Sequence, residues 1–174
     1  MKKLLIIGHA RHGKDSVAEL LHKHFEYSFQ SSSVAASEIF LYDVLKEKYG
    51  YQTPLECFED RVNHRSEWHD LICEYNKTDK ARLAKAIMSK SDIYVGMRSN
   101  EEIEKCHHQD VFDLVIGVFD PRKPLEPASS FDIDMWSQAD IVIPNGGTLQ
   151  ELSERVFLLG HMLENSSEFI VLNH

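Results

Sequence analysis

The stretch that decides the fold lies near the start of the 174-residue chain, where Leu4 to Ser16 reads LLIIGHARHGKDS. Four consecutive apolar residues that end at a glycine predict a short buried β-strand. The residues from Gly8 to Lys14 match the spacing G-x-x-x-x-G-K, and apolar residues recur at helical spacing from Val17 to Phe25. The sequence therefore predicts a strand, a phosphate-binding loop and a helix, in that order.

A loop of this kind binds phosphate mainly through its backbone. Its glycines let the chain curl so that successive N–H groups point inward, and the following helix adds the positive end of its dipole. The Lys14 side chain supplies a charge for the β- and γ-phosphates. A protonated His9 or His12 ring could also touch phosphate, although the backbone amides are expected to matter more. The residues predicted to bind the phosphates of ATP are Gly8, His9, Ala10, Arg11, His12, Gly13, Lys14, Asp15 and Ser16.

The position after the lysine departs from the common pattern. A Ser or Thr there usually offers a hydroxyl to Mg²⁺, whereas this chain has Asp15 followed by Ser16. Asp15 could approach the ion directly or through water, and Ser16 could do so after a one-residue shift. Asp15 could instead complement the positive end of the helix. These alternatives stay open, with Asp15 and Ser16 as the candidate metal residues.

The rest of the chain alternates short apolar runs with amphipathic segments. Further strands are predicted near residues 27–31, 92–96, 112–119 and 139–143, and residues 34–90 are mainly helical. The patterns Ser99-x-x-Glu102 and Thr148-x-x-Glu151 predict capped helix starts, the second followed by an apolar stripe. That stripe comprises Leu149, Leu152, Val156, Leu159 and Leu163. The alternation predicts one α/β domain over residues 1–174, with a five-stranded parallel sheet covered by helices on both faces.

One long segment lacks any periodicity. Residues 121–134 hold three prolines together with Arg122 and Lys123, and they lie between two predicted strands. Long irregular loops in compact domains are often functional, so residues 120–135 are predicted to form a short lid, with an ordinary surface loop as the alternative. Arg122 is the lid's candidate catalytic residue.

Composition excludes several classes of function. Nineteen Lys and Arg against 28 Asp and Glu give a formal charge of -9, which opposes general binding to nucleic acid or anionic lipid. The three cysteines never form a C-x-x-C pair, so neither a disulfide framework nor a zinc ribbon is expected. This cysteine usage is typical of a protein in a reducing cytoplasm. No stretch approaches the roughly 20 apolar residues that cross a bilayer, so no membrane association is expected.

Two segments resemble a known family. Residues 13–16, GKDS, resemble the G-K-D-[ST] phosphate loop of bacteriophage deoxynucleoside monophosphate kinases, and the same G-K-D variant occurs in animal phosphomevalonate kinase. Residues 139–152, ADIVIPNGGTLQEL, are similar to the A-D-x-V-I-x-N-x-G-[ST]-L-x-E-L segment of those phage kinases and of dephospho-coenzyme A kinases. The resemblance implies a P-loop kinase fold, and it implies that Asn145, Gly146 and Gly147 lie against the adenine of ATP.

A third segment, residues 92–101, reads DIYVGMRSNE. In the resembling kinases this strand end often reads D-x-R and faces both nucleotides, which implies that Arg98 grips the acceptor or the transferring phosphate. Gly96 stands here in place of the aspartate. The resemblance therefore supplies no metal-binding carboxylate from this strand, and by elimination it leaves Asp15 as the better candidate.

The resemblance also implies where the phosphate acceptor binds. Monophosphate kinases carry a helical substrate module between the second and third strands, which corresponds to about residues 34–90. A bidentate arginine suits a monophosphate and an aromatic ring suits stacking on a base, so Arg65 and Trp68 are candidates. The alternatives are a solvated face for Arg65 and core packing for Trp68.

Together these features imply a Mg²⁺-dependent kinase that moves the γ-phosphoryl of ATP onto a (deoxy)nucleoside 5′-monophosphate, with Lys14, Arg98 and Arg122 as the catalytic residues. The implied setting is the cytoplasm, that of an infected bacterial host if the chain is phage-encoded. The implied partners are small nucleotides and not nucleic acid or membrane, and a homodimer is left open. The alternatives are a kinase of another small phosphorylated metabolite, such as dephospho-coenzyme A, and a P-loop ATPase or ATP-binding switch.

Overall fold

A parallel sheet of five strands organises the chain, and the computed structural model describes residues 1–165 of it. The strands are β1 (Leu4–Ile7), β2 (Phe29–Ser31), β3 (Ile93–Val95), β4 (Leu114–Phe119) and β5 (Ile141–Pro144). Their order across the sheet is β2-β3-β1-β4-β5, and every neighbouring pair is parallel. The predicted five-stranded parallel sheet is confirmed.

Nine α-helices occur within residues 1–165. They are α1 (Lys14–Phe25), α2 (Ser32–Ala36), α3 (Tyr42–Tyr49), α4 (Pro54–Asp60), α5 (Arg65–Tyr75), α6 (Arg82–Met88), α7 (Asn100–His108), α8 (Met135–Gln138) and α9 (Leu149–Asn165). A π-helical turn (Ser37–Leu41) joins α2 to α3, and a 3₁₀ turn (Arg61–Asn63) follows α4. The helical region predicted between the second and third strands therefore comprises α2 to α6. No helix in the described part of the chain is both long and apolar enough to span a bilayer.

The central strand β1 is fully buried because helices cover both faces of the sheet. Successive side chains of a strand point to opposite faces. Leu4 and Ile6 accordingly pack into one cluster with residues of α1 and α9. Leu5 and Ile7 pack into the other cluster, with residues of α2, α3, α5, α6 and α7. The prediction of helices on both faces is confirmed.

The strand order creates a crevice beyond the carboxyl end of β1. From β1 the chain leads to β2 at one edge of the sheet, whereas from the neighbouring β3 it leads to β4 on the opposite side of β1. Ligands of open parallel sheets bind at such a switch point, outside the carboxyl ends of the strands. Four connections meet there: the phosphate loop after β1, residues 96–99 after β3, residues 120–134 after β4 and residues 145–148 after β5.

The two predicted capping boxes have different outcomes. In the box before α9, the Thr148 amide donates to Glu151 Oε2 at 2.6 Å and the Glu151 amide donates to Thr148 Oγ1 at 3.2 Å, as expected. The box before α7 is wrong, because Ser99 makes no side-chain cap and Glu102 turns inward instead. The first amide of α7 donates to Asp132 Oδ1 at 2.7 Å. The apolar stripe of α9 is buried except for Leu149, which is exposed.

Candidate functional site

The phosphate loop, residues 8–14, has the backbone shape that its two glycines permit. Gly8 and Gly13 have φ angles of 148° and 99°, which residues with a Cβ rarely adopt. A Cβ at Gly8 would meet the carbonyl oxygen of Val118 in β4, and one at Gly13 would meet the side-chain amide of Asn145. The loop is therefore wedged between β4 and the connection after β5, which fixes the direction of its amides.

Lys14 is the buried cation of this loop. Only 8% of its surface is exposed, and its Nζ donates to the carbonyl of His9 at 2.9 Å. Burial lowers the pKa of Lys14, and the charge of Asp15 partly opposes that effect. The ammonium group thus lies folded over the loop, within reach of any anion that the loop amides bind.

His9 and His12 hold the lid, which is the segment of residues 120–134. His12 is fully buried, its Nδ1 accepts from the Asp120 amide at 3.1 Å, and its Nε2 lies 3.3 Å from the carbonyl of Pro124. A ring with its proton on Nε2 satisfies both bonds. In this structure both ring nitrogens of His12 are therefore engaged by the lid, and a contact of the ring with phosphate stays a prediction. His9 Nδ1 accepts from the Glu126 amide at 3.0 Å.

Glu126 connects the lid to the phosphate loop through hydrogen bonds. Its Oε2 accepts from the Ala10 amide at 2.6 Å, and its Oε1 accepts from Arg98 Nη1 at 2.7 Å. Burial alone would raise the pKa of Glu126, but the hydrogen bonds from Arg98 and Ala10, together with the charges of Arg98 and Lys14, lower it. One carboxylate therefore bridges an amide of the phosphate loop and the arginine after β3, and it occupies positions suited to anions.

The predicted lid is a segment without regular secondary structure that lies over the loop. Phe131 is buried, and its ring centroid lies 4.5 Å from that of His9. Ile133 is also buried, so the far end of the segment is anchored in the core. The tip, by contrast, is exposed at Leu125. These contacts hold the segment against the phosphate loop.

Asp15 and Ser16 begin helix α1 just beyond Lys14. Asp15 is exposed and Ser16 is half-buried, and neither side chain has a hydrogen-bond partner within residues 1–165. Both therefore remain available to an ion or to water. Oxygen donors are the ligands that Mg²⁺ prefers, so the residues present fit a magnesium ion beside bound phosphates, and the choice between them stays a prediction.

A cleft of about 650 Å³ opens beside the phosphate loop and unites the predicted acceptor residues. Its lining includes Ala10 of the loop, Arg98 after β3, Glu126 of the lid, and Arg61, Arg65 and Trp68 of the helical region. Three guanidinium groups face this cleft. Arg65 is exposed and has no ion pair or hydrogen bond within the described part of the chain, so its donors are free for a ligand.

Trp68 belongs to the core as well as to the cleft. Only 4% of its surface is exposed, and it packs in the same cluster as Leu5 and Ile7. Its indole nitrogen is buried and has no hydrogen-bond partner within residues 1–165. The side chain has little surface to offer a stacked base, so its position agrees better with core packing than with base stacking.

Arg122 lies on the side of the loop after β5. Its guanidinium donates twice to Asp120, from Nε to Oδ1 and from Nη2 to Oδ2, both at 2.9 Å. It also donates to the carbonyls of Asn145 at 3.0 Å and Gly147 at 3.2 Å. Hydrogen bonding from Arg122 lowers the pKa of Asp120 to about 2. The catalytic role of Arg122 stays a prediction, and it would require these bonds to break.

The predicted adenine loop of Asn145, Gly146 and Gly147 adjoins the phosphate loop. Asn145 Nδ2 donates to the carbonyl of His12 at 3.0 Å, and the Asn145 amide donates to Phe119 at 2.7 Å. Pro121 lies against Gly146. The loop is therefore fixed beside the phosphates' expected position, and its contact with adenine stays a prediction.

Sequence reasoning missed two charged residues of this site. Arg61 lies four positions before Arg65 in the sequence, but nothing in its local pattern separates it from a solvated arginine. Burial, followed by the charge of Arg65, lowers the pKa of Arg61, so the two lie close together. Glu126 has no local signal, because its partner Ala10 is 116 positions away.

Comparison with known proteins shows a likeness of fold. No protein-family model matches the chain, and no curated protein matches it. A gluconokinase from Sinorhizobium meliloti 1021 superposes with a TM-score of 0.51 at 13% identity, over 99% of this chain and 98% of that one. A shikimate kinase from Aquifex aeolicus VF5 gives a TM-score of 0.49 at 16% identity, over 99% of both chains. With its five parallel strands and its phosphate loop between β1 and α1, the chain has the fold of the P-loop kinases.

Proposed function

We propose that this protein is a Mg²⁺-dependent kinase that transfers the γ-phosphoryl of ATP to a (deoxy)nucleoside 5′-monophosphate. The observation that carries the proposal is the bridge made by Glu126. A single carboxylate reaches both the Ala10 amide of the phosphate loop and Arg98 at the acceptor cleft. A donor anion site and an acceptor anion site therefore lie one side chain apart, as direct phosphoryl transfer requires.

The donor half of the site supports a nucleoside triphosphate. The loop amides between Gly8 and Gly13 and the buried Lys14 ammonium would hold its phosphates. The loop of residues 145–147 would take the adenine, since its side-chain amide at Asn145 is bonded to the phosphate loop. Asp15 and Ser16 would hold the magnesium ion, which neutralises phosphate charge and orients the γ-phosphoryl when bound.

The acceptor half supports a phosphorylated substrate. Arg61, Arg65 and Arg98 line one cleft, and a dianionic monophosphate matches such a set of guanidinium groups. An oxygen of the acceptor phosphate would attack the γ-phosphorus as the bond to the β,γ-bridging oxygen breaks. The products are ADP and a nucleoside diphosphate. Lys14 and Arg98 would stabilise the charge that spreads over the transferring group.

The lid has a defined role in this scheme. Glu126 leaves the Ala10 amide when phosphates bind, while the anchor formed by Phe131 and Ile133 keeps the segment attached to the core. Closure over bound substrates would exclude water, which would otherwise accept the phosphoryl group and waste ATP.

A panel of acceptors tests the proposal. ADP release from Mg-ATP is followed with ribo- and deoxyribonucleoside monophosphates of each base, with dephospho-coenzyme A and without acceptor. The expected result is strong stimulation by at least one nucleoside monophosphate. Stimulation by dephospho-coenzyme A alone would show that the acceptor is another phosphorylated metabolite and not a nucleoside monophosphate. The same rate of ADP release with and without every acceptor would indicate an ATPase or an ATP-binding switch. The relation to phage kinases is part of the proposal and rests on residues 13–16 and 139–152.

A further inference from the structure

A second pocket, of about 230 Å³, continues from the acceptor cleft. Both are lined by Ser32, Arg98 and Ser130, so a molecule whose phosphate lies at Arg98 can extend into the pocket. The pocket wall combines apolar and polar side chains. Its apolar part includes Ile72, Leu83 and Phe131, and its polar part includes Asn76, Lys80 and Glu102.

Asn76 holds Glu102 in a fixed orientation. Asn76 is 2% exposed, and its Oδ1 accepts from the Leu83 amide at 3.1 Å. Because the backbone N–H must meet the amide oxygen, the NH₂ group of Asn76 is directed the other way. That group donates to Glu102 Oε1 at 2.7 Å. The orientation of the carboxyl is therefore set by the backbone of α6.

The second oxygen of Glu102 is unused. Within residues 1–165, Glu102 Oε2 has no hydrogen-bond partner, although the side chain lines the pocket. Burial raises the pKa of Glu102, and the bond from Asn76 only partly opposes that rise. Lys80, whose charge also lowers the pKa of Glu102, is paired with Glu101 at 2.8 Å. Glu102 is half-buried, so an acceptor oxygen that lines the pocket and has no donor within the described residues is free to accept from a ligand.

We infer that Glu102, positioned by Asn76, determines acceptor specificity by reading the ring of the nucleoside monophosphate, and that it selects a ring with two adjacent N–H donors. This inference rests on the proposed function. An ionised carboxylate only accepts hydrogen bonds, and each of its oxygens has two lone pairs, so Oε1 can accept from a second donor beside Asn76 while Oε2 accepts from the other. Among the common bases, guanine presents such a pair at N1 and its 2-amino group. Adenine and cytosine place an acceptor beside an amine, and thymine places one N–H between two carbonyls.

The test compares the wild-type protein with Glu102→Gln and with Glu104→Gln. Glu104 is an exposed carboxylate of α7 that bonds to Asn100 of the same helix at 2.6 Å and does not line the pocket, so it serves as the matched control. kcat/KM is measured for GMP, dGMP, AMP, CMP and dTMP at saturating Mg-ATP, and the KM for ATP is measured separately. Thermal unfolding of each protein checks that the fold is retained.

Wild type is expected to prefer the guanine nucleotides. Glu102→Gln is expected to lower the kcat/KM for the guanine nucleotides by about tenfold or more, mainly by raising the acceptor KM. The NH₂ group of the new glutamine would face one of the two N–H donors of guanine, and two donors cannot form a hydrogen bond. In the same variant the kcat/KM for AMP and for CMP should rise relative to that for GMP. The KM for ATP should stay unchanged, and Glu104→Gln should keep the acceptor preference of the wild type.

Three results would overturn the inference. A wild-type preference for another base does so without any variant, so the test holds even if Glu102→Gln folds poorly. An unchanged ranking of acceptors in an active, folded Glu102→Gln protein does so while the proposed kinase function stands. Failure of wild type to phosphorylate any monophosphate overturns the proposed function and this inference together.

Discussion

The side chain of Glu126 and the backbone of Ala10 are joined by a 2.6 Å hydrogen bond between the carboxylate and the amide. The contact links the lid to the phosphate loop at a group that phosphate would otherwise bind. Glu126 therefore competes with the nucleotide for the loop. Glu126 also forms an ion pair with Arg98, so it competes with the acceptor phosphate for that arginine as well.

Neutralising this carboxylate should strengthen nucleotide binding. Glu126→Gln is expected to lower the Kd for Mg-ADP by roughly threefold to tenfold, because the incoming phosphates displace a neutral amide instead of an anion. Isothermal titration calorimetry measures the change. Glu154→Gln, an exposed carboxylate of α9, is the control. Weaker binding by Glu126→Gln would instead indicate that the carboxylate helps to hold the nucleotide complex.

Removing the buried ammonium should abolish turnover. Lys14→Ala is expected to reduce kcat/KM by about 10²-fold or more, since the charge facing the phosphates is lost from a partly desolvated site. The fold should persist, because the one hydrogen bond given up is local, to the carbonyl of His9. Circular dichroism and thermal unfolding check the fold, and undiminished activity would contradict the role of the phosphate loop.

The contacts of Arg122 predict a binding effect. Arg122→Ala should raise the KM for ATP more than it lowers kcat, because the variant loses the bonds to Asn145 and Gly147 in the loop beside the expected adenine. Steady-state kinetics with varied ATP separate the two constants. A fall in kcat with an unchanged KM for ATP would instead support the catalytic role predicted from the sequence.

Asp120 should make stability depend on pH in the acid range. Its pKa is about 2 in the folded protein, below the roughly 3.9 of an unfolded aspartate. The folded state therefore gains stability from Asp120 above about pH 4 and loses it as the pH falls toward 2. Urea unfolding of wild type and Asp120→Asn should give free energies that differ at pH 5 and converge toward pH 2. A difference that does not change with pH would assign the effect to packing alone.

Local patterns predicted the scaffold well because they are set by neighbours in sequence. The run from Leu4 to Ile7 is apolar at every position and occupies the fully buried centre of the sheet. The glycines at 8 and 13 have the positive φ angles that a phosphate loop needs. The number of strands and their parallel direction followed from the alternation of strands and helices, whereas their order across the sheet was not predicted.

Long-range contacts were not predictable in the same way. Glu102 fits a capping box by spacing, yet the buried amide of Asn76, 26 positions earlier, binds its carboxyl instead. Trp68 has the residue type of a stacking platform, but neighbouring helices cover nearly all of its surface. Such outcomes depend on which distant groups meet, and a single sequence does not contain that information.

The burial of His12 has a consequence for engineering. Its ring spans from the end of β4 to Pro124, so the turn that would grip a polyphosphate takes part of its shape from a segment more than a hundred positions later in the chain. Shortening or replacing residues 120–134 to open the acceptor cleft would leave a buried imidazole without partners. Redesign for larger acceptors should therefore begin at the 3₁₀ turn (Arg61–Asn63) and at α5, which line the cleft and make no hydrogen bond to that ring.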